Sequence, residues 1–312
     1  MSILGICTKQ KINELNYETK AIYDEAISCF NEVVVVDPSN VIYFFLEENQ
    51  TPSMVYQGRN LASLTSLIIR GTSERTASTA LLVHTLGLCD CKILDPSSRF
   101  SVGYASKIIT TVTRHERGIG SDSYFAFNLK NGKKLVKMLD KDKRFPLIAK
   151  PVTGSQGRGI SLIEDQEKAI RYIEYFFKVN QDDDCPIFFQ AYENFVDEFR
   201  VIVIEGESVG VVKKIPSGKS IAVNAAQGAN FIAVNAPEVV SFALKNVSKE
   251  GILGVDIGIT QEGKYRIIEE NRTPLWRTFE SVTGINVAKK IVEEASKESR
   301  LIQPEESKNE IG

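Results

Sequence analysis

The run Leu253-Gly254-Val255-Asp256-Ile257-Gly258-Ile259 leads through a turn, Gln261-Glu262-Gly263-Lys264, into a returning run, Tyr265-Arg266-Ile267-Ile268-Glu269-Glu270-Asn271. In an extended chain successive side chains point to opposite faces. Leu253, Val255, Ile257 and Ile259 therefore share one face of the first strand, and Gly254, Asp256 and Gly258 share the other. One carboxylate between two glycines predicts open space above that second face. On the returning strand the same alternation groups Tyr265, Ile267, Glu269 and Asn271. If Thr260 and Tyr265 close a four-residue loop, Asp256 stands opposite Glu269. Opposed residues in such a ladder hold their Cβ atoms about 5 Å apart. Two carboxylates that close repel unless a proton or a cation lies between them. With the Asn271 amide, the face offers three hard oxygen donors, a set suited to magnesium, which keeps waters and nucleotide phosphates as further ligands. The competing reading is a solvated strand face with scattered acids, and a one-residue slip would separate the pair.

Upstream, Leu147-Ile148-Ala149-Lys150 reads as an apolar strand ending in a lysine, and Pro151-Val152-Thr153-Gly154-Ser155-Gln156-Gly157-Arg158-Gly159 returns from it. Such a loop can fold its N–H groups over phosphates while the lysine supplies a point charge. The lysine precedes the glycines, so this is not a P-loop, and no G-x-G-x-x-G is present. A flexible hairpin with a surface lysine is the alternative. Phe188-Phe189-Gln190-Ala191-Tyr192-Glu193 reads as an apolar strand running into a polar connection, which could present backbone groups to an adenine edge. On the following strand Glu198 and Arg200 share one face, and Phe199, Val201 and Val203 the other. A carboxylate there can accept from ribose hydroxyls while a guanidinium grips phosphate oxygens, or the two can form a surface ion pair.

Toward the N-terminus, short β-type runs alternate with helical stretches: Ile3–Cys7, a helix near 14–30, Val33–Val36, a hairpin over 54–61, Leu67–Ile69 and a helix near 75–86. That order implies a parallel, helix-covered sheet, whose ligands sit past the C-terminal strand ends, here at Arg70-Gly71-Thr72. The turn cluster Asp95-Pro96-Ser97-Ser98 marks a domain junction. An N-terminal α/β domain over 1–97 is expected, then a second over 98–302 with subdomains 98–189 and 190–302, and a disordered tail over 303–312.

The chain has 312 residues, 43% hydrophobic and 25% charged, as in ordinary globular proteins. Lys plus Arg number 38 against 40 for Asp plus Glu, which leaves no global field for nucleic acid or an anionic membrane. Its apolar runs are too short to span a bilayer and its start lacks a secretory pattern, so a cytoplasmic protein is expected. The cysteines, at 7, 29, 89, 91 and 185, suit a reducing compartment. Cys89 and Cys91 lack a second Cys/His pair at zinc spacing. With only His84 and His115, material for a Ser-His-Asp mechanism is poor. Chemistry must run on carboxylates, lysines, arginines and amides.

Taken in order, these pieces resemble the ATP-grasp superfamily, and within it the RimK-like branch. The resemblance runs from the Arg70 strand end through Ser106-Lys107, the Lys150 loop, Gln190-Ala191-Tyr192 and Glu198-Phe199-Arg200. It continues through Asn224, Gly254-Val255-Asp256 and Glu269-Glu270-Asn271-Arg272-Thr273-Pro274 to Thr283-Gly284. It implies a mixed α/β ATP-grasp fold behind a Rossmann-like N-terminal domain. It implies an ATP-dependent carboxylate–amine ligase that passes through an acyl phosphate, releases ADP and phosphate, and acts on a carboxylate and an amine substrate. Contacts to ATP are implied for Lys107, Lys150, Ser155, Gln156, Gly157, Gln190, Ala191, Tyr192, Glu198, Lys213 and Asn224. Arg200 and Lys150 would serve catalysis, and Asp256, Glu269 and Asn271 would hold Mg2+, or Mn2+ in its place. Arg70, Arg272 and Arg277 would face substrate, and the chain could assemble as a homo-oligomer, a dimer or a tetramer. After Pro274 the family's Gly-Leu-Glu-Gly stretch is replaced by Leu275-Trp276-Arg277-Thr278, which turns an acid into a base in a loop near the acceptor. An ATP-grasp kinase and a non-catalytic ATP-binding regulatory protein are the other readings.

Overall fold

The structure, a computed structural model, describes residues 2–46, 51–70, 77–99, 105–152, 160–180, 185–215 and 230–297. Its first sheet is built from β1 (Ile3–Cys7), β2 (Glu32–Val36), β6 (Ser66–Ile69) and β7 (Lys92–Leu94), in the order β2-β1-β6-β7. All of its pairings are parallel, as the strand–helix alternation predicts. The crossovers include α1 (Tyr17–Cys29) and α2 (Ala77–Gly87). α1 starts where the Asn16 side chain accepts from the Thr19 N–H, satisfying one otherwise unpaired donor of the first turn. A small antiparallel sheet of β3 (Ile42–Phe44), β4 (Ser53–Tyr56) and β5 (Arg59–Asn60) is inserted before β6. Its turn at Gln57-Gly58 has positive φ at both positions, 49° and 78°. That conformation matches the twist of a two-residue hairpin.

Beyond the turn at 95–98 come α3 (Ala105–Glu116), β8 (Ser123–Ala126), α4 (Leu129–Lys141), β9 (Leu147–Ala149), β10 (Ser161–Ile163), α5 (Gln166–Val179) and β11 (Ile187–Ala191). The strands form an antiparallel sheet in the order β10-β9-β11-β8. Val136 and Leu139 of α4 and Ala169 and Ile173 of α5 cover one side of it, against Leu147, Ala149, Ile187 and Phe189.

The last sheet holds β12 (Phe195–Ile204), β13 (Glu207–Ile215), β14 (Asn230–Ala233), β15 (Ile252–Thr260) and β16 (Tyr265–Asn271), ordered β14-β13-β12-β15-β16 and antiparallel throughout. Phe199, Val201, Val203, Leu253, Val255 and Ile257 pack with Val239 and Ala243 of α6 (Pro237–Asn246). On the opposite face Ile202, Ile204, Val212 and Ile252 join Trp276, Phe279 of α7 (Arg277–Thr283) and Ile291 of α8 (Val287–Ser296). Leu4, Ile6, Ile22 and Ile68 complete the same cluster, so the N-terminal sheet and the last sheet share one core.

The structure departs from the sequence reading in three places. Arg277 is not in a loop but opens α7, whose end is marked by Gly284 at φ 70°. The two glycines beside Asp256 do not leave open space. A Cβ on Gly254 would lie 2.7 Å from Pro274 Cβ, and one on Gly258 2.4 Å from a Phe195 ring carbon. They allow close approach of neighbouring groups. Finally, Tyr265 and Ile267 do not share a face with Glu269. Ile259 pairs with Tyr265 and Ile257 with Ile267, on the α6 side, whereas Asp256 pairs with Glu269 and Gly254 with Asn271. A bulge that leaves Ile268 as the extra residue resets the alternation between them.

Candidate active site

The face of the last sheet that carries Ile202 and Ile204 at one end carries charge at the other. Glu198 pairs with Lys214 on β13, and Arg200, two residues along, pairs with Asp256 on β15. Asp256 pairs in turn with Glu269 on β16. Cross-strand pairing thus lines up acids and bases across four strands, all on one face. Asp256 is 4% exposed and Lys214 3%. The Arg200 guanidinium grips Asp256 with two bonds, Nε to Oδ1 and Nη2 to Oδ2, each 2.8 Å. Lys214 Nζ lies 2.8 Å from Asp256 Oδ2 and 3.9 Å from Glu198 Oε2.

The protonation states follow from these contacts. Burial pushes the Asp256 carboxyl up, but the Arg200 guanidinium and Lys214 ammonium pull it down to about 2. Arg200 is held above its ordinary value because Asp256 outweighs its burial. Burial raises Glu198, with Lys214 opposing. Three cations from α3 and the end of β9 interact with this row. Burial lowers Lys150 to about 8, with Glu269 opposing. It also lowers Lys107, again against Glu269, and Arg114, against Glu270 and Glu269. Lys150 Nζ donates to Gln190 Oε1 (2.6 Å) and Lys107 Nζ to the Pro151 carbonyl (2.9 Å). Titratable groups shifted by burial and by specific charge partners, gathered in one place, are the usual mark of a functional site.

The structure brings together Lys107, Lys150, Gln190, Glu198, Arg200, Asp256, Glu269 and, by register, Asn271. The Ala191 and Tyr192 N–H groups are engaged, donating to the carbonyls of Asp122 (2.8 Å) and Pro146 (3.2 Å). Ser155, Gln156, Gly157 and Asn224 lie outside the described residues. Lys213 is set apart: it points to the α6 side, pairs with Asp197 and sits over the Phe199 ring. Arg272 is tied to Asp95 (2.7 Å) and Glu270 (3.4 Å), pinning the end of β16 to the turn after β7. Arg277 is exposed over the Tyr17 ring at 5.1 Å, and Glu280 is engaged elsewhere, by Tyr17 Oη and the Val287 N–H. Arg70, at the C-terminal end of β6, is 1% exposed. It donates from Nη2 to the Pro274 carbonyl (2.9 Å) and stacks on Trp276, while its Nε and Nη1 find no partner among the described residues.

Lys214, Arg114 and Glu18 were not picked out by sequence reading. Glu18 is buried and accepts the backbone N–H groups of Trp276 and Arg277 at 3.2 and 3.3 Å, fixing the start of α7. A signal for Lys214 lay within reach, since it neighbours Lys213 on a strand facing Glu198, but the choice between the two needs the register.

Two carboxylates opposed on a β-pair beside an amide oxygen make a hard, oxygen-only donor set, and its chemistry fits magnesium. Among the described residues no group of three His, Cys, Asp or Glu side chains could hold a metal, and the expected set contains only two acids.

A family model, the RimK-like ATP-grasp domain, matches residues 118–295. The chain belongs to this family. A protein of Syntrophotalea carbinolica named "Probable alpha-L-glutamate ligase" is 24% identical over 280 residues, which cover 88% of this chain and 90% of that protein. The "Alpha-aminoadipate--LysW ligase LysX" of Saccharolobus solfataricus is also 24% identical, over 91% of this chain and 93% of its own. Among solved structures, the ATP-grasp ligase PsnB, complexed with minimal precursor, Mg and ADP, superposes with a TM-score of 0.65 at 14% identity. The match covers 94% of this chain and 96% of that one. The fold, the family and the enzyme class read from the sequence, an ATP-grasp ligase, are borne out by these matches. Among the described residues no helix is long and apolar enough to cross a membrane.

Proposed function

We propose that this chain is an ADP-forming carboxylate–amine ligase that joins an amino acid to a carboxylate of a small molecule, peptide or protein. The carrying observation is the row Glu198–Lys214 and Arg200–Asp256–Glu269, set on one face of the last sheet opposite Lys107 and Lys150. ATP and magnesium are the expected partners, and the named complex of PsnB with Mg and ADP supports both. Lys150 and Lys107 would bind nucleotide phosphates and Glu198 the ribose, with Gln190–Tyr192 lining the base. Asp256, Glu269 and Asn271 would hold magnesium, which when bound neutralises charge on the β- and γ-phosphates.

Little protein nucleophilicity is needed for the reaction. A substrate carboxylate oxygen attacks the γ-phosphorus and ADP departs, giving an acyl phosphate. The amine nitrogen then attacks the acyl carbon, phosphate leaves and a proton is lost, giving the amide. Arg200, a permanent charge held in place by Asp256, would stabilise the transferring phosphoryl and acyl oxygens. Arg70 has two buried donors, Nε and Nη1, without a partner among the described residues, and would offer them to an anionic group of the substrate. A carboxylate there would form charge-assisted hydrogen bonds with the guanidinium.

The test is incubation with ATP, magnesium and pooled amino acids and short peptides, reading phosphate release and new masses. ADP and phosphate with a condensed product support the ligase. A phosphorylated product without an amide indicates a kinase, and nucleotide binding without turnover a regulatory protein.

A further inference from the structure

We propose that Lys214 stands in the place of a metal ion at Asp256 until a nucleotide draws it away, so that the site takes a divalent cation only together with a nucleotide. This inference rests on the ATP-grasp reading above. Both Asp256 oxygens are engaged: Oδ1 accepts from Arg200 Nε, and Oδ2 is shared by Arg200 Nη2 and Lys214 Nζ. A bare cation must therefore displace one of two positive groups from a buried acid.

Lys214 is the group that yields. Arg200 is held by two bonds in the planar geometry of a guanidinium–carboxylate fork, with the Phe231 ring 5.9 Å from its Cζ. Lys214 offers a single-point ammonium on a flexible stem. Because it is 3% exposed, its charge cannot turn to water where it stands. The other acid it approaches, Glu198, lies 3.9 Å from its Nζ, at the outer limit of an ion pair. Driving Lys214 off Asp256 with a cation alone leaves its buried ammonium with Glu198 at 3.9 Å in place of an Asp256 oxygen at 2.8 Å, which is unfavourable.

Nucleotide phosphates change that balance. They give the ammonium a new anionic partner beside the same row of charges, and they bring the divalent cation with them. Lys214 moves from carboxylate to phosphate as an Asp256 oxygen turns to the cation. Lys214 is thus a positioning residue, and the coupling it creates is reciprocal. Removing the ammonium frees Asp256 for a bare cation and at the same time deprives the nucleotide of a contact.

Mn2+ serves as the probe, with binding followed by electron paramagnetic resonance and calorimetry, without nucleotide and with ADP. Wild type, Lys214→Met and Lys214→Arg are compared, and thermal melts confirm that each is folded. Without nucleotide, Lys214→Met is expected to bind Mn2+ about tenfold or more tightly than wild type, and to bind ADP about tenfold more weakly. Lys214→Arg keeps the charge and restores the wild-type order. A lysine that merely supports the fold would weaken both ligands together. Equal Mn2+ affinity of wild type and Lys214→Met without nucleotide overturns the inference, as does parallel weakening of both ligands in a folded Lys214→Met. Failure of wild type to bind ADP at all strikes instead at the nucleotide reading.

Discussion

The hairpins β12–β13 and β15–β16 lie in one sheet, and each carries a single irregularity, with opposite consequences for reading the site. In β12–β13 the turn at Glu205-Gly206, with φ of 46° and 80°, pairs Ile204 with Glu207. Carried on without interruption, that register would set Lys213 opposite Glu198. The shift between Ile202 and Val203 makes Val209 an extra residue, and Lys214 takes the place. In β15–β16 the turn is one residue tighter than the sequence suggests, with the Thr260 N–H donating to the Lys264 carbonyl. The extra residue at Ile268 then restores Asp256 to Glu269. One bulge moves a lysine out of the site, and the other brings an expected pair back into it. Bulges next to active sites re-aim side chains in this way.

The largest effect is expected where a bulge-set pair is also buried. Asp256→Asn leaves Arg200 and Lys214 without their shared counter-charge. It should nearly abolish ADP formation and lower stability by about 3–5 kcal/mol. Glu269 makes no hydrogen bond or ion pair among the described residues. Glu269→Gln should therefore abolish ADP formation while changing stability by less than about 1 kcal/mol. Denaturant melts beside a coupled ADP assay separate the two. Equal loss of stability in both variants would show that the opposed acids do not divide structure and chemistry as their contacts imply.

Next comes Lys150, which belongs to neither hairpin but lies within electrostatic reach of Glu269. Lys150→Ala should weaken ADP binding by about a hundredfold and leave the fold intact. The pH dependence has a definite sign. Burial holds the free protein's Lys150 at about 8, below the ordinary 10.5, so its positive form is disfavoured there. Phosphates favour that form again, so nucleotide binding should take up protons just above pH 8 and weaken as pH rises further. For stability, the unfolded chain binds more protons than the folded one between these two values, so this lysine makes stability rise with pH across that window. Calorimetry in buffers of different ionisation enthalpy measures the uptake, and its absence from wild type near pH 8.5 would remove Lys150 from the phosphates.

The acceptor side offers a smaller effect. Arg277 makes no ion pair with Glu280 among the described residues, and its guanidinium lies exposed over Tyr17. Arg277→Glu should raise KM for an acidic substrate by about tenfold with KM for ATP unchanged. If both constants hold, specificity rests on the buried Arg70 alone.

Much of this was legible in the sequence because the signals are local. β-branched runs such as Val33–Val36, the apolar period of α1 and the turn residues at 57–58 each act over a few positions, and the elements they mark are present. Asp256 opposite Glu269 was legible too, though through two offsetting shifts, a tighter turn and the bulge at Ile268. What stayed hidden depends on long-range packing. Nothing near Gly254 or Gly258 in sequence says that Pro274 and Phe195 fill the space above them. Nothing near Arg272 announces Asp95, 177 residues away, as its partner. The sequence predicts a loop where α7 stands because that helix starts at the remote Glu18 carboxylate and not at a side-chain cap of its own.

The smallest expected effect tests the first hairpin most directly. Lys213 and Lys214 are adjacent and chemically identical, and only the extra residue at Val209 decides which one meets Asp256. Lys213 pairs with Asp197 and lies over Phe199, with both partners of the ion pair about one-third exposed at 30% and 34%. An ion pair that open contributes about 0–1 kcal/mol. Lys213→Ala should therefore lower stability by no more than about 1 kcal/mol and leave ADP affinity where it was, whereas neutralising Lys214 should not. The contrast is sharper than either result alone, since a general loss of positive charge near a polyanion would act on both. Weakening of ADP binding by Lys213→Ala with no effect from Lys214→Met would mean that β13 pairs in the uninterrupted register. Lys213 would then return to the face of Asp256.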